Sequence, residues 1–118
     1  MRIIKAEIVA EAIAKLGVAM NYEIGADMRR AFDEALEHEQ SDTGREVLQQ
    51  IKQNADIATQ GGVPYCQDTG TAVIFAEVGQ DCHVDGNLEE AINAGVRKAY
   101  GEGFLRKSIL AEDLMRLF

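Results

Sequence analysis

Tryptophan is absent from this 118-residue sequence, proline occurs once, cysteine twice, and aromatic residues make up only 6%. Two cysteines with no secretory signal exclude a disulfide-built scaffold. Cys66 and Cys82 could pair in principle, but both are expected to be reduced thiols. Basic residues are also scarce, 12 against 20 acidic ones, for a net charge of -8. That balance disfavours phosphate backbones and anionic lipid, so neither nucleic acid nor a membrane surface is an expected partner. No apolar run approaches the roughly 18 residues that a membrane helix needs, and no basic segment followed by a hydrophobic stretch opens the chain. The expected location is the cytoplasm. Internal repeats, low-complexity tracts and linkers rich in proline or serine are likewise missing.

What is present is enough for one domain with a modest core, since 47% of the residues are hydrophobic. Ile4, Ile8, Ala12, Ile13 and Leu16 fall on one helical stripe, which predicts a helix over 2–16 ended by Gly17. Met28, Ala31, Phe32, Ala35 and Leu36 predict a second helix over about 25–39. Ser41, Asp42 and Thr43 offer caps for a third, with Thr43 and Glu46 at capping-box spacing and Val47, Leu48, Ile51, Ala55 and Ala58 as its buried face. Asn87 and Glu90 repeat that spacing before a fourth apolar face of Leu88, Ala91, Ile92, Gly95, Val96 and Ala99, which runs to about residue 100. The amphipathic segment 109–118 ends on Leu117 and Phe118 without a stop signal, so the natural chain is expected to continue.

Residues 71–78, Thr-Ala-Val-Ile-Phe-Ala-Glu-Val, are rich in β-branched and aromatic side chains and predict a largely buried strand. A second strand at 82–84 would pair with it around Gly79-Gln80-Asp81. The expected architecture is a helix-rich α+β domain with a small β-sheet. Immediately before the first strand lies Gly61-Gly62-Val63-Pro64-Tyr65-Cys66-Gln67-Asp68-Thr69-Gly70, which sets a thiol, an amide and a carboxylate side by side. Pro64 restricts Val63 to an extended backbone, so the approach to Cys66 is shaped. A thiolate there suits a metal ligand or a nucleophile, whereas the plain alternative is a small apolar filler among turn residues.

Pro64-Tyr65-Cys66-Gln67-Asp68-Thr69-Gly70, with Phe75 and the turn Val78-Gly79-Gln80-Asp81, resembles the amino-terminal part of the iron-sulfur hydro-lyases. These are the class I fumarate hydratases and the α subunits of L-tartrate dehydratase. His83-Val84-Asp85-Gly86-Asn87-Leu88-Glu89-Glu90-Ala91-Ile92, Gly95-Val96-Arg97-Lys98-Ala99-Tyr100 and Gly103-Phe104-Leu105-Arg106-Lys107-Ser108 are similar to that family in the same order.

The resemblance implies that residues 1–118 are the amino-terminal domain, or a fragment of it, of such an α-type chain. In that family one cysteine of the motif is among three that hold a 4Fe-4S cluster, whose remaining iron is open to act as a Lewis acid. The implied reaction is reversible dehydration of a 2-hydroxy dicarboxylate, with malate to fumarate first and tartrate to oxaloacetate next. Cys66 matches the cluster ligand, Gln67 and Asp68 match substrate-facing positions with Asp68 as a proton donor, and Arg106 matches an arginine that holds a substrate carboxylate. Thr69 and Gly70 are expected to shape the loop, and Lys107 to be solvated.

Cys82 has no matching ligand role and reads as a small core residue, His83 as a packed or surface imidazole, and His38 as part of a solvated face. One matching cysteine cannot hold the cluster alone. The chain by itself is therefore expected to be inactive, with the remainder of the α chain, a β subunit or both as partners in an oligomer. Two other readings stand beside this one: a non-catalytic module that docks a partner through Leu114, Leu117 and Phe118, and a cysteine-nucleophile enzyme pairing Cys66 with His83.

Overall fold

Helix-forming periodicity dominates the chain, and the computed structural model, which describes residues 1–108, is correspondingly helix-rich α+β. The order is β1 (Arg2–Lys5), α1 (Ala6–Tyr22), α2 (Ala26–His38), α3 (Asp42–Gly61), β2 (Cys82–Asp85) and α4 (Leu88–Glu102). The proposed docking stripe at Leu114, Leu117 and Phe118 lies outside the described residues. The chain divides into two units, residues 1–18 with 67 onward, and residues 19–66.

In the first unit, the opening residues are a strand rather than the start of a helix. β1 and β2 form a two-stranded parallel sheet with Ile3 opposite His83 and Ile4 opposite Val84. Adjacent Ile3 and Ile4 suit a pleated backbone, and their partner is far away in sequence, so helical periodicity concealed it. The expected pairing of 71–78 with 82–84 is therefore corrected: β2 exists, but β1 is its neighbour, and 71–78 is not a strand.

Gly17 also departs from expectation, because α1 runs through it to Tyr22. A Cβ at Gly17 would lie 2.7 Å from the Ala99 Cβ, so this glycine serves packing between α1 and α4 rather than termination. Farther along the same seam, a Cβ at Gly95 would meet the Ala10 carbonyl oxygen at 2.6 Å and the Ile13 Cβ at 2.8 Å. Ala14, Ala91 and Ala99 are buried in this unit together with Leu105. Small residues thus let the helices approach closely, at the cost of a thin core.

Gly95→Ala should destabilise the protein by about 1–3 kcal/mol, because the clashing carbonyl oxygen is backbone and cannot rotate away. Gly101→Ala has open space around it within α4 and should stabilise by up to about 1 kcal/mol through helix propensity. Urea midpoints shifting in opposite directions would bear this out, and equal shifts would contradict the seam.

Lys98 donates to Glu11 Oε2 at 2.6 Å between α4 and α1. The hydrogen bond and charge of Lys98 hold the Glu11 carboxyl below its ordinary value, while those of Glu11, helped by Glu102, hold the Lys98 ammonium above its own. The carboxylate's contribution to stability is present above its unfolded-state value and disappears as pH falls through the depressed folded value. The ammonium's contribution is present below its unfolded-state value and disappears as pH rises through the raised folded one. Glu11→Gln should lower stability slightly at neutral pH and converge with the unsubstituted protein as pH falls through the depressed value, flattening the acid limb, which urea midpoints from neutral pH into the acid range would reveal.

In the second unit, Ser41 rather than Thr43 caps α3, its side chain accepting from the Gly44 amide. Arg45 donates from Nη1 to the Leu36 and Glu39 carbonyls at 3.0 and 3.3 Å, satisfying the end of α2. Arg29 pairs with Asp56 at 2.6 Å, and Lys52 pairs with Asp33, joining α2 to α3. Of the expected apolar face, Ala55 and Ala58 are buried, but Val47 and Ile51 remain exposed. Gly62 takes a left-handed φ of 61° at the C-cap, and the Gly62 and Val63 amides both donate to the Ala58 carbonyl. That closure ends α3 and starts the loop leading to Cys66.

Candidate functional site

The loop that carries the thiol, amide and carboxylate is anchored on each side of its reactive residues. In the second unit both peptide groups of Tyr65 are held. Its amide donates to the Asn21 carbonyl at 3.0 Å, and its carbonyl accepts from Asn54 Nδ2 at 2.7 Å. Asn21 is itself buried, and Thr59 ties the end of α1 to α3 by donating to the Tyr22 carbonyl at 3.1 Å. Cys66 follows directly, a free and exposed thiol. Its position is thus set by backbone bonds to its neighbour, leaving the sulfur accessible.

In the first unit, Asp68, Thr69 and Gly70 are each joined to the segment that ends α4. The Ser108 hydroxyl donates to Asp68 Oδ1 at 3.2 Å. Thr69 Oγ1 donates to the Arg106 carbonyl at 2.8 Å, and the Tyr100 hydroxyl donates to the Gly70 carbonyl at 3.1 Å. Gly70 has a φ of 62°, a conformation in which a side chain would be strained. Thr69 shapes the loop, as expected, but through a residue 37 positions away rather than a local bond.

Arg106 reaches this neighbourhood through a turn at Gly103 and Phe104. Phe104 has a φ of 52°, an unusual strain for a bulky residue, and the turn leaves Leu105 buried and Arg106 exposed. The structure therefore brings Asp68 and Arg106 onto adjoining, mutually bonded segments. Gln67 is exposed beside Asp68. A cavity of about 510 Å³ opens next to them, with Gly70, Asn93, Arg97, Tyr100, Lys107 and Ser108 in its wall. Lys107 is exposed at this cavity rim.

Ser108, Tyr100, Asn21 and Asn54 were not assigned roles by sequence reasoning. Their partners are distant in sequence, and no local spacing announces such bonds. Cys82 is half-buried in β2 and His83 is exposed there. Among the described residues no group of three or more His, Cys, Asp or Glu side chains is arranged to hold a metal. Nor is any helix among them long and apolar enough to cross a membrane.

Residues 10–117 match the family model described as fumarate hydratase (Fumerase). The chain belongs to the class I fumarate hydratase family. It is 34% identical over 86 residues to the putative L(+)-tartrate dehydratase subunit alpha of Methanocaldococcus jannaschii, covering 71% of this chain and 30% of that one. Aerobic class I fumarate hydratase of Escherichia coli K12 is 39% identical over 83 residues, covering 70% of this chain and 15% of the relative. Mitochondrial fumarate hydratase 1 of Leishmania major is 42% identical over 69 residues, 58% of this chain and 12% of the relative. The chain thus spans less than a third of the length of these members of the fumarate hydratase family. Both the Cys66 loop and the Arg106 segment fall inside the matched residues.

Proposed function

We propose that this chain is the amino-terminal part of a 4Fe-4S-dependent hydro-lyase that reversibly dehydrates a 2-hydroxy dicarboxylate, malate to fumarate first and tartrate to oxaloacetate next. The observation that carries this reading is an exposed free thiol, Cys66, following the doubly anchored Tyr65 and preceding a carboxylate, within a fumarate hydratase family match. It is a cytoplasmic enzyme in this reading and works as an oligomer.

The donor chemistry fits one corner of an iron-sulfur cluster. Cys66 is accessible and on a fixed backbone, and thiolate is the ligand such clusters take. The other ligands come from polypeptide outside these residues in this reading, since the sequence has two cysteines and Cys82 matches no ligand position. When bound, the cluster supplies a Lewis acid that makes substrate hydroxide a better leaving group.

The chain's own residues do the rest of their share by binding and proton handling. Arg106 offers a planar fork for two parallel hydrogen bonds to one substrate carboxylate. Gln67 orients a hydroxyl or carboxylate oxygen through its amide. Asp68, oriented by the Ser108 hydroxyl, delivers a proton to the departing oxygen in dehydration and removes it from water in hydration. The proton on the neighbouring carbon is handled by a base outside these residues. Alone, the chain has one cluster ligand and is inactive.

Iron and acid-labile sulfide, measured on the complete assembly purified without oxygen, test this reading. Retention of both in stoichiometric amounts is expected. A well-folded assembly without either would instead favour a non-catalytic module that docks a partner subunit.

A further inference from the structure

Every residue between the end of α3 and Cys66 carries a restraint. Gly62 sits in the left-handed region, and its amide, like that of Val63, donates to the Ala58 carbonyl. The Pro64 ring fixes its own φ and keeps Val63 extended. Tyr65 is held through both of its peptide groups, its amide donating to the Asn21 carbonyl at 3.0 Å and its carbonyl accepting from Asn54 Nδ2 at 2.7 Å. A plain connection does not require so many fixed points, and all of them lead to the thiol.

One of these restraints comes from a side chain and acts on Cys66 itself. The described residues contain no cis peptide bond, so the Tyr65 carbonyl lies in one rigid trans plane with the Cys66 nitrogen and Cα. Asn54 therefore grips the peptide unit that carries Cys66. With that plane held, the sulfur has only the φ and χ1 rotations of Cys66 left to search. Asn54 stands on a braced helix: Lys52 pairs with Asp33 and Asp56 with Arg29, two residues to either side of it, and Ala55 beside it is buried. Such a support transmits the position of α3 to the thiol.

We infer that Asn54 is a positioning residue for the metal ligand: by fixing the peptide between Tyr65 and Cys66, its amide presets the Cys66 thiolate for ligation and so governs how firmly an iron-sulfur cluster is held. This rests on the reading of Cys66 as a cluster ligand. The role requires a hydrogen-bond donor at this position. Leucine is close to asparagine in size but has no polar atom, and an ionised aspartate keeps the shape while setting one acceptor against another. Residues that orient a metal ligand are typically worth about 10–100-fold in metal affinity or activity.

The test follows the release of iron from the complete assembly, purified without oxygen, to an excess of an iron(II) chelator, with a urea midpoint on each preparation. Asn54 is exposed, so Asn54→Leu and Asn54→Asp should both fold, and both should release iron at least about 10-fold faster than the unsubstituted protein. Arg45→Met is the comparison, because it removes two hydrogen bonds at the end of α2 and leaves the Tyr65 peptide groups untouched. Its iron release should be unchanged even where its midpoint falls. Normal release in either Asn54 variant overturns this assignment alone, as does equally fast release in Arg45→Met, which would reduce the effect to general stability. An unsubstituted assembly that binds no iron overturns the hydro-lyase reading and this assignment with it.

Discussion

Replacing Cys66 by serine in the complete enzyme should remove most of the iron and sulfide while leaving the fold intact. The thiol is exposed, and the loop is held by the Tyr65 peptide groups on Asn21 and Asn54, so the exchange of sulfur for oxygen disturbs no structural bond. Unfolding stability of the protein part should stay within about 0.5 kcal/mol, as for other surface substitutions. The serine hydroxyl is a harder donor that stays protonated near neutral pH, and it cannot replace a soft thiolate on an iron-sulfur cluster. Loss of an orienting residue around a metal already costs about 10–100-fold, so loss of a direct ligand should lower turnover by more than about 100-fold. Iron analysis, sulfide analysis and a urea midpoint on one preparation separate ligation from folding. Normal iron and normal activity in Cys66→Ser would refute the ligand assignment.

Asp68→Asn should give the opposite split, with iron retained and turnover lost. Asparagine has nearly the same shape, and its carbonyl oxygen can still accept from the Ser108 hydroxyl, so the loop geometry is preserved. What disappears is the ability to pass a proton to or from the leaving oxygen, a contribution of about 10²–10⁴-fold. The loss should fall on kcat, with a smaller change in KM, since substrate binding is assigned to Arg106 and Gln67. A variant with unchanged kcat would remove Asp68 from the catalytic group and leave it a loop-shaping residue.

The helices were legible because their signals are local. The Asn87 cap, with its side chain accepting from the Glu90 amide, and the buried positions Ala91, Gly95 and Ala99 follow from spacing alone. The strands were not, because pairing is a long-range event. Ile4 fitted a helical stripe until its parallel partner Val84 was in view. Residues 71–78 show the converse: the composition of a buried strand is present, but nothing among the described residues pairs with it or covers it.

At the site, the motif around Cys66 named candidate side chains, Cys66, Gln67 and Asp68, which are exposed. The bonds that position them, from Asn21, Asn54, Tyr100 and Ser108, cross long stretches of sequence and carry no spacing signature. Gly17 illustrates the same limit. Read locally it is a helix stop, whereas in three dimensions it is the space that Ala99 occupies.

The most direct test of the chain's assignment is the rate of fumarate hydration and of tartrate dehydration by the complete, oxygen-free assembly, measured before and after iron is removed. Expected are rapid, reversible hydration of fumarate to malate, loss of activity on iron removal and recovery when the cluster is rebuilt; faster turnover of tartrate would keep the reaction class and change the substrate. An iron-loaded, folded assembly that turns over neither substrate would contradict the hydro-lyase assignment.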